Sequence, residues 1–321
     1  MKSPWYETAP GATAALLATG QFVDADLYRF TLAGEILGVT ELLYGAGPID
    51  VAAAGSYWPA NTILFDQAQA KAKAHWKVGL DVDTWQVVAT PRPVDLLTGA
   101  AAPDRIGSAP FLAALRAGAL DGAEVQVDRA FAPDWNAVAT GQNGRPALAP
   151  TGIVAIFYGR VAEGDAGRSQ AVITINSHLK LIASQMPRRL YQASCIHTLF
   201  DAGCGLAAAD FAMSGTVVSV SADGSTVTAS LAAPAGSGTY ALGRMVMQDG
   251  ASAGFARATR SWSPGGPATL ALIAPFPLGV APGDRFTAYP GCDKRFGTCG
   301  SFANQVNYGG ALAIPAPETA F

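Results

Sequence analysis

Apolar and polar residues alternate in short runs along most of the chain, separated by glycine and proline, and this period of two predicts strands rather than long helices. GATAALLATG (11–20) is the early exception, predicting a short helix that stops at Gly20. FVDADLYRF (22–30), ILGVTELLY (36–44) and TWQVVATPRPVDLL (84–97) read as strands, bounded by Gly34, by the GAGP turn at 45–48, and by Pro91 and Pro93. Residues 56–76, SYWPANTILFDQAQAKAKAHW, are ambiguous, with helix formers in their second half. PFLAALRAGALDGAEVQVDRAF predicts a helix from about Ser108, closed by Gly118 or Gly122, then a strand from Ala123 to Arg129. A polar loop, TGQNGRPALAPTG, then joins strands at Trp135–Ala139 and at IVAIFYGRVAEG.

The pattern changes after Gly164. SQAVITINS alternates strictly, whereas LKLIASQMPRRLYQASCIHTLFDAGCG turns helical, with Ser194 as N-cap and Gly203 as the stop. From Phe211 to about Tyr289 the period returns to two. GTVVSVSADGSTVTASL predicts a hairpin turning at Asp223-Gly224, and TYALGRMVMQDGASAGFARATRSW a second around Asp249-Gly250. The fold class is therefore mainly β with short helices (α+β), in three regions. These are a β-rich domain over 1–165, a strand plus helical cysteine-bearing segment over 166–210, and a small barrel or sandwich with a loop-rich tail over 211–321.

Composition narrows the function. Charged residues are 14% of the 321, against a usual ~25%, which points to a surface partly covered by other protein. With 21 Lys and Arg against 24 Asp and Glu, the basic footprint of a dedicated nucleic-acid binder is missing. Six Trp, nine Tyr and fourteen Phe exclude a disordered chain. The most apolar stretch, ATLALIAPFPLGVAP, is broken by Pro275 and Pro277, so no membrane span is expected. The N-terminus does not read as a secretory signal, so synthesis is placed in the cytoplasm, where thiols stay reduced.

Candidate chemistry is sparse. Gly250-Ala251-Ser252-Ala253-Gly254 matches the G-x-S-x-G elbow of hydrolases, but no histidine follows His197 to complete the triad and the flanks read as strand. His75, His178 and His197 are too scattered for a zincin site and read as packed or surface residues. Asp24 with Asp26, and Asp81 with Asp83, each share a strand face, where solvated edge residues are the first expectation and a cation site the second. No phosphate-binding loop or dinucleotide fingerprint occurs.

The four cysteines are more informative. Cys195 and Cys204 form one glycine-flanked pair and Cys292 and Cys299 another. On a straight helix the first pair would stand ~13.5 Å apart, so a shared site requires the chain to turn back near Gly203. Thiolates suit zinc or an iron–sulfur cluster, yet the spacings match neither the usual zinc pattern nor the common ferredoxin runs. Four buried apolar cysteines, or two disulfides, remain equal alternatives on spacing alone.

MPRRLYQASCIHTLFDAGCG and YPGCDKRFGTCGSFANQVNYGGALAIP resemble the signatures of tail hub proteins of long-tailed phages and gene transfer agents. The likeness rests on PRR-x-Y-x-x-x-C, D-A-G-C-G, C-D-x-x-x-x-T-C, F-x-N and N-Y-G-G, with weaker similarity through LRAGALDGAEVQVDR and IFYGRVAEG. The resemblance implies a non-enzymatic hub at the tail tip, usually a homotrimer, related to the iron–sulfur tail tip protein of phage lambda. It implies a virion protein assembled in the bacterial cytoplasm, whose partners are the distal tail ring, a central fibre-type tip protein and a tail peptidase. DNA would touch it only in transit through the channel. Carried over, Cys195, Cys204, Cys292 and Cys299 become ligands of an iron–sulfur cluster, [4Fe–4S] first, with zinc as the alternative. Such a cluster would act as a staple, closing a loop over 204–292 worth ~4 kcal/mol by chain entropy. A tail-associated cell-wall hydrolase and a receptor-binding β-rich module are the competing readings.

Overall fold

The computed structural model describes residues 3–36, 39–59, 63–65, 83–91, 105–107, 109–136, 139–140, 144, 146–182, 191–234 and 238–312. The chain divides into two compact units, Met1–Ser184 and Gln185–Phe321. His75, Asp81 and the helix-prone half of the 56–76 segment lie outside the described residues, as do 92–97 of the predicted third strand.

The first unit begins with β1 (Tyr6–Glu7) and α1 (Ala12–Thr19), the latter ending at Gly20 in the left-handed region as the sequence predicts. There follow β2 (Val23–Ile36), β3 (Val39–Gly45), β4 (Asp50–Ala53), β5 (Ser56–Trp58), β6 (Ile63–Phe65) and β7 (Thr84–Pro91). The hairpin β8 (Arg105–Ile106) and β9 (Ala109–Pro110) precedes α2 (Phe111–Arg116), then β10 (Glu124–Ala132), β11 (Ala139–Thr140), β12 (Pro146–Leu148), β13 (Gly152–Ala166) and β14 (Ala171–Ser177). An eight-stranded antiparallel sheet runs β3-β2-β10-β13-β14-β7-β6, with β1 on β13, and a smaller sheet runs β11-β12-β4-β5. Alternation sends Ala25, Leu27, Ala130 and Ile153 inward onto Val51 and Trp58, all fully buried. Each large apolar side chain there contributes about 1.5–3 kcal/mol.

Three local expectations are corrected here. Strand β2 continues through Gly34 to Ile36, because its partner β3 turns straight back along it. Trp135 belongs to no strand; Asp134 accepts the Asn136 N–H (2.9 Å) and its Nδ2 (2.7 Å), and the resulting bend lays the Trp135 ring over the core beside Gly47. Asp26 is not a solvated residue: Arg129 on β10 forks onto it at 2.7 and 3.1 Å, and also reaches Asp24, which stays half-exposed, at 3.3 Å. Asp26 is buried, so at its position the face holds a charge-paired carboxylate, while Asp24 keeps the solvated character expected of it.

The second unit is built on a closed antiparallel barrel, β15 (Met213–Val220), β16 (Thr226–Leu231), β17 (Thr239–Met247), β18 (Ala256–Ser263), β19 (Ala268–Leu272) and β20 (Arg285–Gly291), in the order β15-β16-β19-β18-β17-β20. Both predicted hairpins are present, and closure leaves no free edge. Val227, Tyr240, Met245, Leu270 and Phe286 fill the interior. Met213 pairs with Ala288 and Thr239 with Gly291, so β15 and β17 begin at the end where β20 finishes. Two glycines let β17 and β20 close up there: a Cβ at Gly243 would stand 2.2 Å from the Tyr289 carbonyl, and one at Gly291 1.9 Å from that of Ala241.

Helix was predicted across 179–205. Among the described residues only His178–Leu181 form a helical turn, of the 3₁₀ type; residues 191–205 are a chain of bends and turns. The reason lies in Asp201, whose carboxylate accepts the N–H groups of Thr198 (2.7 Å) and Cys204 (2.6 Å), drawing the segment into a tight turn that competes with a helix.

Candidate functional site

The end of the barrel where β20 finishes carries all four cysteines. Cys292 directly follows Gly291, and the short helix α3 (Phe296–Ser301) presents Cys299. Cys195 is fixed by its own N–H, which donates to the Lys294 carbonyl at 2.9 Å, and Cys204 by the Asp201 turn. An aromatic chain seats these loops on the unit: Phe200 contacts Phe211 and Tyr289, and Phe211 meets Phe302 edge-on at 5.4 Å.

Cys195, Cys204, Cys292 and Cys299 line one cavity of about 20 Å³, and all four are free thiols. The structure thus brings together the four residues singled out in the sequence and leaves them unpaired as disulfides. Among the described residues no three His, Cys, Asp or Glu side chains are close enough to share one metal ion.

Donors are aimed at three of the four sulfurs. The Gly309 N–H points at Cys195 Sγ (3.3 Å), the Lys294 N–H at Cys292 Sγ (3.3 Å), and Asn304 Nδ2 at Cys204 Sγ (3.5 Å). Cys299 differs, its Sγ donating to the Asn304 carbonyl at 3.1 Å. Burial pushes the Cys292 thiol up; burial and then the other three cysteines push Cys299 up. A thiol-rich cavity with N–H groups turned toward sulfur fits a thiolate-held, positively charged centre.

His197 is packed, as expected, and its surroundings explain two glycines. The ring sits between Gly203 and Gly309, where added Cβ atoms would lie 2.1 Å from Nδ1 and 2.6 Å from Cδ2. His178 belongs to the other unit. Ser252 of the G-x-S-x-G match sits in the β17–β18 connection, fully buried, with Oγ donating to the Gly279 carbonyl at 2.6 Å. No strand-to-helix elbow surrounds it. Asp201 and Asn304 were not singled out from sequence; their signals were the three-residue interval from Asp201 to Cys204 and the F-x-N that follows Cys299.

Residues 10–207 match the family described as "Baseplate hub protein, N-terminal attachment domain", and residues 238–318 match one described as "Phage conserved hypothetical protein BR0599". Among solved structures, a chain in the virion of a native gene transfer agent particle shares the fold, with a TM-score of 0.68 and 22% identity over 96% of this chain and 94% of that one. No curated protein matches. The first match covers more than half of the sequence, and the chain belongs to the baseplate hub family. It is a structural component of a phage-type tail baseplate, and so a virion protein.

Proposed function

We propose that the chain is the tail-tip hub itself, joining the tail tube and distal tail ring to the central tip protein and tail peptidase, as a homotrimer through whose channel DNA leaves. The 14% charge content supports a subunit whose surface is covered by neighbours. In this reading Cys195, Cys204, Cys292 and Cys299 hold an iron–sulfur cluster, and its bonds to sulfur supply a cross-link rather than chemistry on a substrate.

The observation that carries the reading is the meeting around one cavity of two cysteine pairs, one preceding the complete barrel in sequence and one following it. Four thiols lining one cavity suit an iron–sulfur cluster, [4Fe–4S] first, with zinc as the alternative. The G-x-S-x-G match supplies no nucleophile, since Ser252 is buried and bonded to a carbonyl.

Protein purified without oxygen should be brown and carry iron and acid-labile sulfide in equal amounts. Cys204→Ser or Cys292→Ser in a hub-deleted particle should give tailless or tip-deficient particles, because a hydroxyl replaces thiolate poorly on iron. Colourless protein with one tightly bound zinc would refute the cluster. Complete particles that adsorb but deliver no DNA would refute the structural role of the cysteines.

A further inference from the structure

Asn304 is the buried polar residue that touches both cysteine-bearing segments, at 8% exposure. Its own N–H donates to the Cys299 carbonyl (3.0 Å), and its carbonyl receives Cys299 Sγ. Its side chain crosses to the other segment: Nδ2 donates to the Cys204 carbonyl at 2.7 Å and stands 3.5 Å from Cys204 Sγ. A carbonyl only accepts, so the side of the carboxamide facing Cys204 must be the NH₂ group. The other side is fixed too, because Asn307 Nδ2 donates to Asn304 Oδ1 at 2.7 Å. The carboxamide is held at both ends, and among the N–H groups aimed at sulfur it is the one borne by a side chain.

We propose that Asn304 is the positioning residue of the four-thiol site, clamping the Cys204 turn to the Cys299 helix and directing an N–H at Cys204 Sγ, so that the thiols are arranged before any metal arrives. The metal-related part rests on the iron–sulfur reading above; the clamp does not. Two variants separate its components. Asn304→Leu keeps the approximate volume and removes every side-chain hydrogen bond. Asn304→Asp keeps the size and still accepts from Asn307, but presents an acceptor to Cys204 and loses the donor. Partners of ligating groups generally change metal affinity about 10–100-fold when removed.

The test uses the full chain in two states. In reduced, metal-free protein, iodoacetamide should alkylate Cys204 about tenfold faster in Asn304→Leu and by a smaller factor in Asn304→Asp, whose carboxylate disfavours the neighbouring thiolate, with the Cys292 rate unchanged. In protein reconstituted with ferrous iron and sulfide, a chelator should extract iron about 10–100-fold faster from either variant. Losing an N–H to sulfur destabilises the more electron-rich reduced state, so the midpoint potential should move negative; a tenfold change in the redox ratio is about 59 mV for one electron. A merely structural residue would not move that potential. Wild-type Cys204 labelling in both variants, an unshifted potential in reconstituted protein, or loss of the barrel's circular dichroism in both variants overturns the proposal. Should the wild type take up no iron, the iron–sulfur reading fails by itself, and the labelling rates still decide the clamp.

Discussion

The imidazole of His197 occupies the space a side chain at Gly203 would need: a Cβ there would lie 2.1 Å from Nδ1. Gly309 packs against the opposite part of the same ring, so two glycines from distant segments enclose one histidine. Gly203→Ala and Gly309→Ala should each destabilise the second unit by about 1–3 kcal/mol through overpacking. Adding His197→Ala to either should recover part of the loss, since the clash is with that ring alone among the side chains nearest Gly203. Thermal unfolding of the single and double variants measures both effects, and additive losses in the double variants would show the ring is not the obstacle.

Ser252 offers a second test. Its hydroxyl is buried and donates to the Gly279 carbonyl at 2.6 Å, pinning the β17–β18 connection. Ser252→Ala should cost about 1–3 kcal/mol, mostly the penalty of a carbonyl left without a donor. A fluorophosphonate probe for activated serines should leave the wild type unlabelled. Labelling at Ser252 would revive the hydrolase interpretation.

The Asp223-Gly224 turn carries a pH dependence of defined sign. Ser221 and Ser225 hydroxyls donate to the Asp223 carboxylate at 2.5 and 2.6 Å, joined by the Ser225 N–H, and hold its pKa down at about 2. A pKa lowered by folding means stability that is fully present above the unfolded carboxylate value of ~3.9 and is lost as pH falls through about 2. NMR titration should place the Asp223 midpoint near the lower figure, and Asp223→Ala should remove this segment of the pH profile. A midpoint at the ordinary carboxylate value would mean the hydroxyls do not hold the turn.

Strands and turns were legible because they depend on near neighbours. Alternation gave β10, β13, β14 and the barrel hairpins, and Asp-Gly marked the Asp223 turn. The errors came where a short side chain competes with the backbone. Asp201 takes two N–H groups from a segment whose composition favours helix, and Asp134 bends a stretch that alternates like a strand. Asp26 looked exposed because period two tells which residues share a face, not whether that face is covered; Arg129, 103 positions away, covers it. The four cysteines could be paired by spacing and grouped by resemblance, but neither spacing nor glycine flanks reveals that an asparagine bridges Cys204 and Cys299.

The chain enters the barrel at Met213 and leaves it at Gly291, at the same end. The turns at Asp223-Gly224 and at 248–255 lie on the opposite rim. The interval between Cys204 and Cys292 is therefore a free parameter of the design. Residues inserted into the far rim would lengthen that interval without moving either pair of thiols. The cavity therefore depends on the spacing within each cysteine pair and not on the length of chain that separates the pairs.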